Sequence, residues 1–124
     1  MARILIVDDS SFQRRMIRTV VEAERYEVLE ADGGRQGVEM ATTHRPDCML
    51  IDLVMPEVDG LAVLERLRDQ RLKIPVIVLT ADIGEKQSQQ CLELGAVAVI
   101  SKPLKTDEFR HALNKVFDHK QEAA

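Results

Sequence analysis

The chain has 124 residues, of which 45% are hydrophobic and 3% aromatic, and a formal net charge of −4. That length gives one domain with a single core, and the mild acidity argues against a nucleic-acid binder, which needs a clustered basic face. No stretch has the pattern of a signal peptide or a membrane span, so the expectation is a cytoplasmic protein without membrane insertion.

Arg3–Val7 is an apolar run that Asp8 and Asp9 cut short, and it predicts a first strand. Phe12, Met16, Ile17, Val20 and Val21 recur at helical spacing and predict a helix from about Ser11 to Glu24. Its Arg14, Arg15 and Arg18 are expected to form a solvated face rather than a phosphopeptide dock. Glu27–Ala31 alternates more than the other runs, as suits an edge strand, and a weaker helix marked by Val38 and Ala41 follows Gly33 and Gly34. Cys48–Ile51 predicts the third strand, closed by Asp52, and Leu61, Leu64 and Leu67 mark a helix starting near Gly60. Val76–Leu79 predicts the fourth strand, followed by Thr80. Cys91 and Leu92 belong to a fourth helix that Gly95 ends in a left-handed turn. Val97–Ile100 predicts the fifth strand, followed by Lys102 and Pro103. Phe109, Ala112, Leu113, Val116 and Phe117 give the clearest helical stripe, with Thr106 as its N-cap. Residues 1–120 form the expected domain and 121–124 a frayed tail. Cys48 and Cys91 have no metal-ligand spacing and are expected as buried, reduced thiols. His44, His111 and His119 are scattered, which argues against a metal or catalytic role for them.

Strict alternation of strand and helix predicts an α/β fold, a doubly wound five-stranded parallel sheet with five helices. The flavodoxin-like order 2-1-3-4-5 is the expected one, and it puts the topological switch between the first and third strands. Asp8, Asp9 and Asp52 then meet at one rim, with Thr80 and Lys102 on neighbouring strand ends. Two carboxylates about 4 Å apart repel by roughly 4 kcal/mol at an effective dielectric of 20. A hard divalent ion, with Mg²⁺ the expected one, relieves that repulsion and leaves positions open for phosphate oxygens. Taken singly, Asp8 or Asp9 is a cap and Lys102 a surface lysine; the full set points to a site for a phosphoryl group and a cation. Asp52 can serve as metal ligand, as nucleophile, or as both. Its attack on phosphorus gives an acyl phosphate. Lys102 and Thr80 would supply a cation and a hydrogen bond to the transferring group. Lys102 also precedes proline, where a cis bond is far more accessible than elsewhere.

The chain resembles, over nearly its whole length, the receiver domain of two-component response regulators, and most of all the stand-alone chemotaxis kind. The matching residues are Asp8-Asp9, Asp52-x-x-Met55-Pro56-x-x-x-Gly60, Thr80-Ala81 and Lys102-Pro103. The resemblance implies that Asp52 accepts a phosphoryl group from a phosphohistidine on a sensor histidine kinase or a histidine phosphotransfer protein. It implies Mg²⁺ bound by Asp9, Asp52 and the backbone carbonyl of Val54, with Asp8 assisting through water. Thr80, the Ala81 amide and Lys102 would hold the phosphoryl oxygens, and slow hydrolysis would limit the signal. A downstream protein would read the surface of the fourth helix, fifth strand and fifth helix, with the domain a monomer that can pair when phosphorylated. Val54 and Asp82 lie where the resembled family tunes dephosphorylation.

Three residues before the lysine, where that family commonly has an aromatic lever, stands Val99, whose β-branched side chain has little rotamer freedom. The switch is therefore expected in the loop Ala81–Glu85, with Gly84 as hinge. With no output domain attached, the helical surface itself is the expected message, unless the protein is a phosphate sink for a kinase. An aspartyl-phosphate phosphatase reuses the same residue types, but its second acid stands two residues after the nucleophile, and Asp8-Asp9-Ser10 breaks that pattern. A flavodoxin-like cofactor carrier ranks last, because Asp8 and Asp9 would repel a phosphate.

Overall fold

The computed structural model describes residues 1–81 and 84–123, with side chains described through Phe117. In chain order the described elements are β1 (Arg3–Val7), α1 (Ser11–Ala23), β2 (Glu27–Ala31), α2 (Gly34–His44), β3 (Cys48–Asp52), α3 (Gly60–Asp69), β4 (Val76–Thr80), α4 (Glu85–Glu93), β5 (Ala98–Ser101) and α5 (Thr106–Ala123). The strands pair in parallel in the order β2-β1-β3-β4-β5, the flavodoxin-like order that the sequence predicts. The expected tail at 121–124 falls among residues whose side chains are not described. Among the described residues no helix is long and apolar enough to cross a membrane.

The continuous apolar runs are explained by cover on both sheet faces, since successive side chains point to opposite sides. Leu5, Val7, Met49, Ile51 and Val78 pack with Val38, Val63, Leu67 and Cys91 of α2, α3 and α4. Ile4, Ile6, Leu50, Ile77 and Leu79 pack with Ile17, Val21, Phe109, Leu113 and Val116 of α1 and α5. Each of these side chains contributes roughly 1.5–3 kcal/mol by leaving water. Register then sets the site. Val7 lies opposite Ile51, Asp52 opposite Leu79, and Thr80 opposite Ser101, so four strands end at one rim.

The first and fourth predicted helices form as α1 and α4. Ile17 and Val21 are the buried residues of α1 while Phe12 and Met16 are exposed, and Cys91 is the buried residue of α4 while Leu92 is exposed. Two local expectations are corrected. β5 begins at Ala98, one residue after the expected start. Thr106 is the first helical residue rather than the cap: the Phe109 N–H donates to the Lys105 carbonyl, which puts Lys105 at the capping position. Gly95 ends α4 with φ 103 as expected, and the same left-handed step is taken by Arg25 (φ 66) after α1 and Arg71 (φ 57) after α3.

Cys48 and Cys91 are buried thiols and are not joined in a disulfide. Burial, then the nearby Asp59, pushes the Cys91 thiol above its ordinary value. A disulfide-exchange reagent should therefore label both thiols about a thousandfold more slowly in the folded chain than in denaturant, because labelling must wait for opening. Fast labelling of either thiol under native conditions would contradict the packing described.

Candidate functional site

The crevice is assembled from strand ends. β1 stops at Val7, the Asp8 N–H donates to the Ala31 carbonyl at 3.2 Å, and the Asp8 side chain is 1% exposed. Asp8 Oδ1 accepts from the Ser10 N–H at 2.9 Å, a side-chain turn that Asp favours. Ser10 in turn caps α1, its Oγ accepting from the Gln13 N–H at 3.2 Å. Asp9, between them, is exposed.

Asp52 closes β3, and its Oδ1 accepts from the Val54 N–H at 3.3 Å. The Leu53 N–H reaches back to the Leu79 carbonyl at 3.1 Å, and the Gly60 N–H to the Leu53 carbonyl at 2.9 Å. This close approach explains the glycine. A Cβ at residue 60 would lie 2.8 Å from the Asp52 carbonyl oxygen and 2.9 Å from Leu53 Cα. Asp59 then caps α3 by accepting from the Ala62 N–H at 2.9 Å.

Thr80 is 2% exposed at the end of β4, and its carbonyl accepts from the Lys102 N–H at 2.8 Å. That bond brings the end of β5 onto the end of β4. The Lys102–Pro103 peptide is cis. Lys102 Nζ donates to Asp8 Oδ2 at 2.8 Å and lies 3.3 Å from Asp52 Oδ2. Ala81 and Val54 sit exposed at the mouth. The proposed hinge loop includes Asp82 and Ile83, which lie outside the described residues; Gly84 has extended dihedrals (φ −78, ψ 135) at the N-cap of α4.

One carboxylate oxygen from each of Asp8, Asp9 and Asp52 lies within 4.8 Å of the others. Against these three acids stands the Lys102 ammonium. Burial raises the Asp52 pKa above its ordinary value; Lys102 pulls it back and Asp8 pushes it up again. An all-oxygen, acid-rich donor set of this kind fits a hard divalent cation.

Arg14 is a participant that the sequence did not announce. Its side chain is 17% exposed; Nη1 donates to the Asp8 carbonyl at 2.7 Å and Nε to Glu30 Oε1 at 3.1 Å. Arg18 Nη1 takes the other Glu30 oxygen at 2.5 Å. Glu30 and then Glu22 raise the Arg18 pKa, so two of the three arginines serve β2 and the acid loop rather than a solvated face. The only sequence signal was an acid at an inward-leaning position of the edge strand. Arg14→Gln should cost about 1–2 kcal/mol of stability and weaken Mg²⁺ binding several-fold, because a planar fork that served two acceptors is lost. Denaturant unfolding and calorimetric titration with Mg²⁺ check both, and unchanged Mg²⁺ affinity would refute a role for Arg14 in shaping the acid loop.

The model of the family described as response regulator receiver domain matches residues 4–114. The chain is similar to the chemotaxis protein CheY of Bacillus subtilis, with 34% identity over 117 residues, covering 94% of this chain and 98% of that one. It is also similar to sporulation initiation phosphotransferase F of the same organism, with 36% identity over 113 residues, covering 91% of each. Among solved structures, the chemotaxis protein CheY4 of Vibrio cholerae superposes with a TM-score of 0.85 at 29% identity, covering 94% of this chain and 98% of that one. A receiver domain protein from Clostridium thermocellum superposes over the whole of both chains with a TM-score of 0.92 at 25% identity. The acid crevice at the sheet switch point thus sits in a chain that belongs, over almost all its length, to the response regulator receiver domains of two-component signalling.

Proposed function

We propose that Asp52 is the phosphoryl acceptor. The observation that carries this is the Lys102 ammonium, 2.8 Å from Asp8 and 3.3 Å from Asp52, set beside a third carboxylate at the ends of four strands. In the proposed step an Asp52 oxygen attacks the phosphorus of a phosphohistidine. The new O–P bond forms as the P–N bond breaks, and the departing electron pair stays on the imidazole. Lys102 moves from its two carboxylates to a phosphoryl oxygen, exchanging one anionic partner for another. Thr80 and the Ala81 amide supply hydrogen bonds to the remaining oxygens. Asp9, Asp52 and the Val54 carbonyl would hold Mg²⁺, with Asp8 beside it, and the ion when bound supplies charge neutralisation for the transferring group.

The donor in this proposal is a sensor histidine kinase or a histidine phosphotransfer protein. Exposed Phe12 and Met16 on α1, the helix that follows Asp8 and Asp9, and exposed Val54, two residues after Asp52, support such docking, because they leave apolar surface for a partner. Output is assigned to the α4–β5–α5 face, where Leu92, Val97, Val99 and Ile100 line a recess rimmed by Asp107 and Lys115. Slow hydrolysis of the acyl phosphate ends the signal, with exposed Val54 at the mouth of the site. Incubation with acetyl phosphate and Mg²⁺, followed by intact mass, should show a gain of one phosphate that decays on removal of donor. No gain, or steady turnover of small phosphate esters, would remove the proposal in favour of an inert module or a phosphatase.

A further inference from the structure

A second recess lies at the other end of β4, between α3 and α4. It owes its shape to the way α3 ends. Arg71 takes a left-handed conformation, its N–H donating to the Arg68 carbonyl at 3.0 Å, while the Leu72 N–H donates to the Leu67 carbonyl at 2.9 Å. This reversal seats Leu72 against the core beside Ile74 and Leu94, and Val97 completes a partly exposed apolar wall. The charged residues lining the recess are Arg68, Arg71 and Lys73, all cations, in a chain whose 21 acids outnumber its 17 lysines and arginines. Arg68 lies 3.9 Å from Asp69, with both side chains mostly exposed, a contact too weak to neutralise it. Among the described residues neither Arg71 nor Lys73 forms an ion pair.

We propose that this recess docks an acidic amphipathic segment of a partner protein, whatever the state of Asp52. The apolar wall takes the segment's hydrophobic side chains, and the three cations take its carboxylates. A single-headed anionic amphiphile offers one charge to three cations and matches the rim less well. Independence from Asp52 follows from position. Val76 and Thr80 stand at opposite ends of β4, about 13 Å apart at 3.3 Å per residue. The recess therefore tethers the protein while the acid crevice signals.

The test is an amide-resolved titration of the full chain with a synthetic helical peptide of leucines on one face and glutamates on the other. A peptide with lysines for the glutamates, and dodecanoate, serve as comparisons. The acidic peptide should shift the amides of Leu72, Ile74, Leu94 and Val97 and leave those of Asp8 and Asp52 in place. Arg68→Glu combined with Lys73→Glu, both at exposed side chains, should weaken it about tenfold, as expected for two lost rim contacts. Asp52→Asn should bind it as the parent does. Equal binding of the lysine peptide, unchanged binding by the charge-reversed variant, or no shift at the four amides would overturn the proposal. Shifts caused by dodecanoate alone would reassign the recess to a lipid-like ligand and overturn it too. A several-fold change in Asp52→Asn would overturn the independence from the signalling site.

Discussion

Lys102→Met is expected to lower stability by about 3 kcal/mol near pH 7, because it leaves carboxylates facing one another without their ammonium. Asp8 is 1% exposed and holds Lys102 at 2.8 Å, so water cannot readily replace that partner. The pH dependence has a definite sign. Lys102 is the largest of the influences that lower the Asp52 pKa against burial, ahead of the Val54 N–H. Without it the folded-state value climbs further above the unfolded one, and an acid so raised contributes stability at low pH that is lost as pH rises. The deficit of Lys102→Met relative to the parent should thus be small near pH 4 and large near pH 7, and added Mg²⁺ should reduce it. Urea unfolding at both pH values decides the matter. An equal deficit at both would mean that lost packing of the lysine stem, not charge, explains the effect.

Asp52→Asn is expected to abolish phosphate incorporation and yet to stabilise the metal-free fold. Burial first, and Asp8 after it, hold the Asp52 pKa above its ordinary value. The parent therefore loses stability as pH rises from the ordinary carboxylate range through that raised value, whereas the amide does not titrate. At neutral pH without Mg²⁺ the variant should melt about 3–5 °C higher, the equivalent of roughly 1 kcal/mol in a domain of this size. Mg²⁺ should raise the melting point of the parent and leave that of the variant nearly unchanged. A variant that melts lower than the parent without metal would show that the Asp52–Lys102 contact outweighs the crowding of acids.

The sheet was legible because both its faces are covered, so strands such as Ile4–Val7 and Val76–Leu79 read as unbroken apolar runs. The candidate site was legible for a related reason: Asp8, Asp52, Thr80 and Lys102 each interrupt such a run at its C-terminal end, and parallel register brings those ends together. What stayed hidden depends on tertiary placement. Phe12 and Met16 have helical spacing with Ile17 and Val21, but α1 offers only one face to the sheet, and they lie off it. Arg25 and Arg71 carry left-handed turns that sequence assigns to glycine, because the paired backbone bonds and the seating of Tyr26 and Leu72 outweigh the modest cost of a side chain there. Arg14 looked like any surface arginine, since its two acceptors come from a strand sixteen residues away and from a main-chain carbonyl. The basic recess was equally invisible, as its cations and apolar wall come from the end of α3, the segment that joins it to β4, and the turn between α4 and β5.

The most direct test of the phosphoryl-acceptor assignment is chemical trapping. After phosphorylation by acetyl phosphate with Mg²⁺, borohydride reduces an aspartyl phosphate to the alcohol of homoserine, and peptide mapping locates it. The account predicts the reduced residue at position 52 alone, with none formed when Mg²⁺ is chelated. Reduction at Asp8 or Asp9, or phosphate that resists borohydride because it sits on a hydroxyl or an imidazole, would contradict it.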